Sequence, residues 1–87
     1  MQFLAHKIFD KKVAKLPQKI KEQLKERLSI FIENPHHHLL NNHALNGEFA
    51  GCRSINITGD LRLIYEHYDA DTLHLLDIDT HANLYGK

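Results

Sequence analysis

The spacing of apolar residues changes along the chain, and this change constrains the fold more than any other feature. Over residues 18–33 apolar side chains recur every three or four positions, as on one face of a helix. After residue 49 they alternate with polar ones, as on strands that bury one face. The helical stripe consists of Ile20, Leu24, Leu28, Phe31 and Ile32. The pattern therefore predicts helices near the start of the chain and strands in its second half.

Residues that begin or end regular structure set the boundaries of the predicted elements. Pro17 suits the first turn of the long helix, because its missing N–H costs nothing there, and Asn34-Pro35 ends that helix. Asp10 can cap a shorter helix before it. Residues 36–46 are polar and irregular, which predicts a loop. In chain order we predict a strand over residues 3–8, helices over 10–16 and 18–33, and strands over 49–58, 61–68 and 72–79.

Short turns separate the last three predicted strands. Thr58-Gly59-Asp60 and Asp69-Ala70-Asp71 are rich in turn-forming residues, and turns this short join antiparallel neighbours. We therefore expect an α+β fold of order β-α-α-β-β-β, in which two N-terminal helices pack on one face of an antiparallel sheet. A length of 87 residues is enough for one core only, so we expect a single domain over residues 1–87.

Composition and charge exclude several classes of protein. No apolar run approaches the roughly 20 residues that span a bilayer, and the N-terminus lacks the features of a signal peptide. We therefore expect a cytoplasmic protein without a membrane partner. The single Cys52 cannot form an internal disulfide, which agrees with a reducing compartment.

The net charge is zero, but residues 1–40 carry eight basic and four acidic side chains, whereas residues 41–87 carry three basic and seven acidic side chains. Since RNA binders are usually basic overall, this chain can offer only a local basic face.

Three motifs follow one another in the second half of the chain. They are H-x-L-x-G-x-x-x-G-x-R over residues 43–53, G-D-x-R-x-I-Y over residues 59–65 and T-H-x-x-L-Y over residues 80–85. Together they resemble the RelE/YafQ-like toxins of type II toxin-antitoxin systems, and the order of predicted elements agrees with that resemblance. The resemblance implies a ribosome-dependent endoribonuclease that cuts messenger RNA, that a cognate antitoxin protein silences, and that needs no metal or small-molecule cofactor.

The resemblance also implies a set of functional residues. The catalytic residues by this resemblance are His43, Asp60, His81 and Tyr85. Those implied to bind RNA or its phosphate are Arg53, Asn56 and Arg62. The chain departs from the pattern at Asn56, where YafQ-like members can have histidine, at Leu61, where some have tryptophan, and at Asp79, where glycine usually precedes Thr-His.

These residue types suit metal-independent cleavage of RNA. The 2′-OH of the RNA is the nucleophile, so the enzyme needs a base, an acid for the leaving 5′ oxygen, and cations beside the phosphate. Two histidines can fill the first two roles and arginine the third. If one strand runs through Asp79 and His81, their side chains share a face and the carboxylate favours the protonated imidazole that a general acid requires.

Other readings of the sequence stay open. The same fold can serve a non-enzymatic ParE-like toxin that acts on gyrase, or an inactive binding module. Asp60 suits a turn for structural reasons alone, Tyr85 can serve C-terminal packing, and Arg53 can pair with an acid such as Glu66. The run of residues 36–38, three consecutive histidines, suggests a metal site, but adjacent loop residues rarely converge on one ion, so we expect a polar surface loop.

Overall fold

A computed structural model describes residues 1–85 of the chain, with only the backbone of Tyr85. The strands of this part are β1 (Gln2–Ala5), β2 (His43–Ala44), β3 (Arg53–Asn56), β4 (Leu61–Asp69) and β5 (Thr72–Thr80). Its α-helices are α1 (Lys7–Ala14), α2 (Gln18–Glu33) and α3 (His81–Tyr85), and two short 3-10 helices span His38–Leu40 and Gly47–Phe49. No helix in the described residues is long and apolar enough to cross a membrane.

The strands form one sheet in the order β1-β5-β4-β3-β2. The predicted meander is confirmed, because β3, β4 and β5 pair antiparallel through short turns. The sheet as a whole is mixed rather than antiparallel, since β1 pairs with β5 in parallel, with Gln2 opposite Thr72. The physical reason is the long connection between these two strands, which leaves their relative direction free of any tight turn.

The two N-terminal helices pack on the sheet as predicted. Phe9 of α1 and Leu24 and Phe31 of α2 are buried against apolar residues of the sheet. The sheet and loop residues in this core are Leu40, Ile55, Ile57, Leu63, Tyr65, Leu73, Leu75 and Ile78. Ile32, the last residue of the predicted helical stripe, is 51% exposed and does not join them.

The first two elements begin and end earlier than predicted. The first strand stops at Ala5 instead of residue 8, because His6 caps α1 and its Nδ1 accepts the N–H of Ile8 at 3.1 Å. Asp10 is therefore not the cap but lies in the first turn of α1. The long helix spans residues 18–33 as predicted, with Pro17 just before its first turn.

The strand predicted over residues 49–58 is shorter, because the chain turns before it. Gly47–Phe49 forms a 3-10 helix and Gly51 has a φ of +90°, so that extended structure begins only at Arg53. The two-residue strand β2 and the helix α3 were not predicted.

Strand β1 covers only part of its neighbour. It ends at Ala5, opposite Leu75, so within residues 1–85 the second half of β5 has no strand on its outer side. Lys12 of α1 contacts β5 there, at Asp77 and Asp79. Helix α1 is thereby linked to the end of β5 from which α3 begins.

Candidate active site

Arg62 is the centre of a polar cluster at one end of β3 and β4. It pairs in register with Asn56, and Ser54 lies two residues earlier on the same face of β3. Arg62 is only 6% exposed, yet its guanidinium donates to neutral acceptors. Its Nε donates to Ser54 Oγ at 2.6 Å and its Nη1 donates to Asn56 Oδ1. None of the ion pairs within residues 1–85 includes Arg62, so its charge is buried without a carboxylate partner.

His43 lies beside this buried cation. Its Nδ1 is 3.2 Å from Nη2 of Arg62 and 2.8 Å from the carbonyl oxygen of Asn41. A carbonyl oxygen can only accept, so the short contact is a hydrogen bond when His43 carries its proton on Nδ1, and we assign that tautomer. In the neutral ring, Nε2 is then the basic nitrogen. Asn41 supplies this acceptor from the left-handed region, with a φ of +45°, a conformation that asparagine adopts more readily than most residues.

Asp60 and His81 meet at the end of the β4–β5 pair. The backbone N–H of His81 donates to the carbonyl oxygen of Asp60 at 2.9 Å, and both residues are exposed. Because Leu61 pairs with Thr80 and Arg62 pairs with Asp79, His81 and Asp60 lie at the same end of the sheet as the Arg62 cluster. The structure therefore brings His43, Asn56, Asp60, Arg62 and His81 to one end of β3, β4 and β5.

The strand does not run through both Asp79 and His81, which removes the condition for the expected contact between their side chains. Strand β5 ends at Thr80 and α3 begins at His81. The carboxylate of Asp79 accepts from Nζ of Lys12 at 2.8 Å through Oδ2, and from the N–H of Thr80 through Oδ1. The hydrogen bond from Lys12 is the main reason that the pKa of Asp79 lies below its usual value, and a bond from Asn83 adds to it.

Arg53 lies on the other face of the sheet, so the structure does not bring it to Arg62. It directly precedes Ser54 in β3 and pairs with the core residue Tyr65. Its Nε donates to Oδ1 of Asn42 at 2.9 Å, and Asn42 also donates to the carbonyl oxygen of Pro35. The alternative ion pair between Arg53 and Glu66 does not form; Glu66 contacts Nδ1 of His74 at 3.3 Å instead.

The remaining candidates of the sequence analysis are Tyr85 and the three consecutive histidines. The side chain of Tyr85 lies outside the described residues. His37 stacks on His38 with ring centroids 4.5 Å apart, and His36 and His38 are exposed. Across residues 1–85, no three His, Cys, Asp or Glu side chains are grouped so that they could hold a metal ion.

Three residues that make polar contacts in or near the site were not predicted from the sequence. Ser54 carries a detectable signal, because it shares the strand face of Asn56 by simple alternation. Asn41 carries a weaker one, since asparagine is enriched at positive φ. Lys12 carries none, because its contact with Asp79 joins residues 67 positions apart.

Solved structures similar to this chain include proteins of toxin-antitoxin systems. No curated protein matches the chain in sequence. The crystal structure of YafQ from E. coli strain BL21(DE3) matches with 27% identity and a TM-score of 0.77, covering 97% of both chains. YafQ in the E. coli DinJ-YafQ complex matches with 26% identity and a TM-score of 0.75, again over 97% of both chains. The archaeal RelE-RelB complex from Pyrococcus horikoshii OT3 matches with 20% identity and a TM-score of 0.71, covering 91% of this chain and 92% of that chain, which shows the fold alone.

The fold is thus that of YafQ and RelE-like toxins, as the sequence motifs indicated. The family is narrower than this class. The sequence model of YafQ, a bacterial toxin of type II toxin-antitoxin systems, matches residues 1–86, and the chain belongs to that family.

Proposed function

We propose that this toxin is a ribosome-dependent endoribonuclease that cleaves messenger RNA through the 2′-OH of the RNA. The observation that carries the proposal is the environment of Arg62. A positive charge that is 94% buried, held by neutral oxygens and adjacent to a histidine, attracts a phosphate group. One N–H of Nη1 and one of Nη2 remain after the bonds to Asn56 and Asn41, and these suit the oxygens of a phosphorane-like transition state.

The two histidines divide the proton transfers. His43 has its Nδ1 proton directed to Asn41, so Nε2 can take the proton from the 2′-OH as general base. His81 donates a proton to the leaving 5′ oxygen as general acid. Asp60, whose backbone carbonyl accepts the N–H of His81, orients the base or substitutes for it. Tyr85 is included among the catalytic residues because it belongs to the same short helix as His81. Histidine and arginine side chains supply every proton and charge that this reaction needs, so the mechanism requires no metal or cofactor.

Asn56 and Arg62 contact the RNA in this proposal, whereas Arg53 acts at a distance. Its bond to Asn42 ties down the segment just before His43, so we assign Arg53 a positioning role rather than a phosphate contact. This assignment follows from the opposite faces of β3 on which Arg53 and Asn56 lie.

The ribosome compensates for weak affinity toward free RNA. With a net charge of zero, the chain gains little from neutralising phosphates along an RNA strand. A ribosome presents the messenger RNA in an ordered conformation in its A site, so the toxin need not pay for ordering it. This function places the protein in the cytoplasm.

A cognate antitoxin protein is the second partner in the proposal. The E. coli DinJ-YafQ complex joins a relative of this chain to such a protein. Here the exposed lysines of α1 and α2 offer a basic surface for an acidic segment. These lysines are Lys7, Lys11, Lys19 and Lys25.

The test is induction of the toxin and of histidine variants, followed by analysis of the RNA ends. His81→Ala and His43→Ala should each relieve growth arrest and lower cleavage on programmed ribosomes by about 10²- to 10⁴-fold. His38→Ala, at an exposed histidine of the polar loop, is the matched control and should cleave like the parent. The 5′ fragment should end in a 2′,3′-cyclic or 3′ phosphate.

Two results would refute the enzymatic proposal. A folded His81→Ala protein that remains as toxic as the parent would favour a ParE-like action on gyrase or simple binding. A 3′-hydroxyl product would exclude attack by the 2′-OH, because it demands an external water as nucleophile.

A further inference from the structure

Polar contacts tie the outer part of β5 to α1 and to α3, and the proposed chemistry does not use them. Nζ of Lys12 lies 2.8 Å from Oδ1 of Asp77 and 2.8 Å from Oδ2 of Asp79. Oδ1 of Asp79 accepts from Nδ2 of Asn83 in α3, also at 2.8 Å. We call Lys12, Asp79 and Asn83 the clasp, because together they join α1, β5 and α3.

Helix α3 depends on such contacts to keep its place. It has five residues, and a helix this short is not stable alone in water. Thr80 Oγ1 accepts the backbone N–H of Asn83 at 3.1 Å, and the carbonyl oxygen of Asp60 accepts that of His81. These two bonds hold the N-terminal end of α3. The clasp adds a link from α3, through Asp79, to the separate helix α1. His81 is the first residue of this turn, so the position of its backbone depends on where the turn lies.

We infer that Lys12 and Asp79 are positioning residues, which hold the turn carrying His81 in one orientation against β5. The inference rests on the proposed function, in which His81 is the general acid. A displacement of about 1 Å at a reacting group can cost about 100-fold in rate, so a loose turn would lower cleavage without weakening RNA binding. Glycine, the residue that resembling toxins usually carry at position 79, has no side chain with which to make these contacts.

Lys12 and Asp79, the two ionisable residues of the clasp, are both charged near neutral pH. Hydrogen bonds from Lys12 and from Asn83 hold the pKa of the Asp79 carboxyl below its usual value. Burial lowers the pKa of Lys12, but the hydrogen bonds to Asp77 and Asp79 outweigh it and raise the pKa overall. Lys12 and Asp79 are partly exposed, so the role of the pair lies in placing α3 rather than in overall stability.

The test combines backbone dynamics with cleavage kinetics on Lys12→Met. NMR order parameters of residues 81–84 should fall from roughly 0.85 in the parent to below about 0.6. Cleavage on programmed ribosomes should lose about tenfold in kcat with KM changed by less than about twofold. Lys12→Arg keeps a cation within reach of Asp79 and should restore both values. Asp79→Asn, which keeps an oxygen acceptor for Asn83, should lie between Lys12→Met and the parent.

Two matched variants test whether the effect of Lys12→Met comes from the clasp or from a weaker attachment of α1 to the sheet. Lys15→Met removes the same charge at the exposed residue that caps the C-terminal end of α1. Asp77→Asn removes the other ion pair of Lys12 without touching α3. Both should leave the order parameters of the turn and the cleavage rate as in the parent.

The inference fails if the turn in Lys12→Met stays as rigid as in the parent. It also fails if the turn loosens while kcat is unchanged. A parent protein that cleaves no messenger RNA on ribosomes refutes the proposed function instead. The order parameters alone then decide: a loosened turn supports the clasp, and a rigid turn overturns it.

Discussion

Replacing Arg62 by lysine separates the charge of this residue from its geometry. Arginine offers five N–H donors in a fixed plane, whereas lysine offers three on one rotatable nitrogen. The guanidinium reaches Ser54, Asn56 and the carbonyl of Asn41 at once, and an ammonium at the same place reaches about one of them. Arg62→Lys therefore keeps the positive charge and loses about two charge-assisted hydrogen bonds.

The structure sets the size of the expected effect. At about 1.5 kcal/mol for each hydrogen bond to a charged group, the loss of two lowers the free energy of unfolding by about 3 kcal/mol. A domain with a stability of roughly 5–15 kcal/mol remains folded after this loss. The cleavage rate of the folded variant should also fall, by about 10²- to 10³-fold. A loss of this size follows when an enzyme loses one preorganised hydrogen-bond donor to its transition state.

Urea denaturation and single-turnover cleavage on programmed ribosomes measure the two effects. Arg27→Lys is the control for the exchange of arginine by lysine, because Arg27 donates from Nη1 to the carbonyl oxygen of Leu39 and a lysine can keep a single bond of this kind. It should cost about 1 kcal/mol or less and leave cleavage unchanged. If Arg62→Lys cleaves within about threefold of the parent, Arg62 does not stabilise the reacting phosphate. If it is no less stable than Arg27→Lys, the bonding around Arg62 contributes little.

Two further predictions concern Arg53 and the antitoxin. Arg53→Leu removes the hydrogen bond to Asn42 and should lower kcat about tenfold with KM nearly unchanged, because the segment before His43 loosens; a rise in KM alone would instead mark Arg53 as a phosphate ligand. The association rate of the toxin with its antitoxin should fall steeply as salt rises in stopped-flow measurements, because exposed lysines attract an acidic partner. An association rate that ignores salt would indicate a mainly apolar contact, such as a helix laid in a groove.

The parts of the fold that local patterns specify could be predicted from the sequence. The long helix was placed over residues 18–33 because a helical stripe and proline at each end define it. The β3–β4–β5 meander followed from two short turns. The parallel pairing of β1 with β5 could not be predicted, because Gln2 and Thr72 are far apart in the sequence and no local pattern indicates that they pair.

The placement of the site residues was predicted in part, and Arg53 is the residue that the structure places apart from the others. The resemblance grouped Arg53 with Arg62 as cations near one phosphate. Arg53 and Asn56 are three positions apart on a strand, and side chains at odd separations point to opposite faces. Alternation alone therefore separates Arg53 from Asn56 and from its partner Arg62, as the structure shows. The expected alignment of Asp79 with His81 is absent for a different reason, because β5 ends at Thr80 and α3 begins at His81.

The net charge of zero is a poor measure of the field at this site, because the folded chain redistributes its charges. Asp77 and Asp79 belong to the acidic half of the sequence, yet both are paired with Lys12 from the basic half. Arg62 keeps its charge without a carboxylate partner within the described residues. Under the proposed function, a phosphate beside His43 and Asn56 would lie close to this buried cation, and the attraction between buried charges is screened less than that between charges at the surface. In the proposed function this local arrangement binds one phosphate of an RNA that the ribosome already holds, whereas the whole chain has no excess charge with which to capture free RNA.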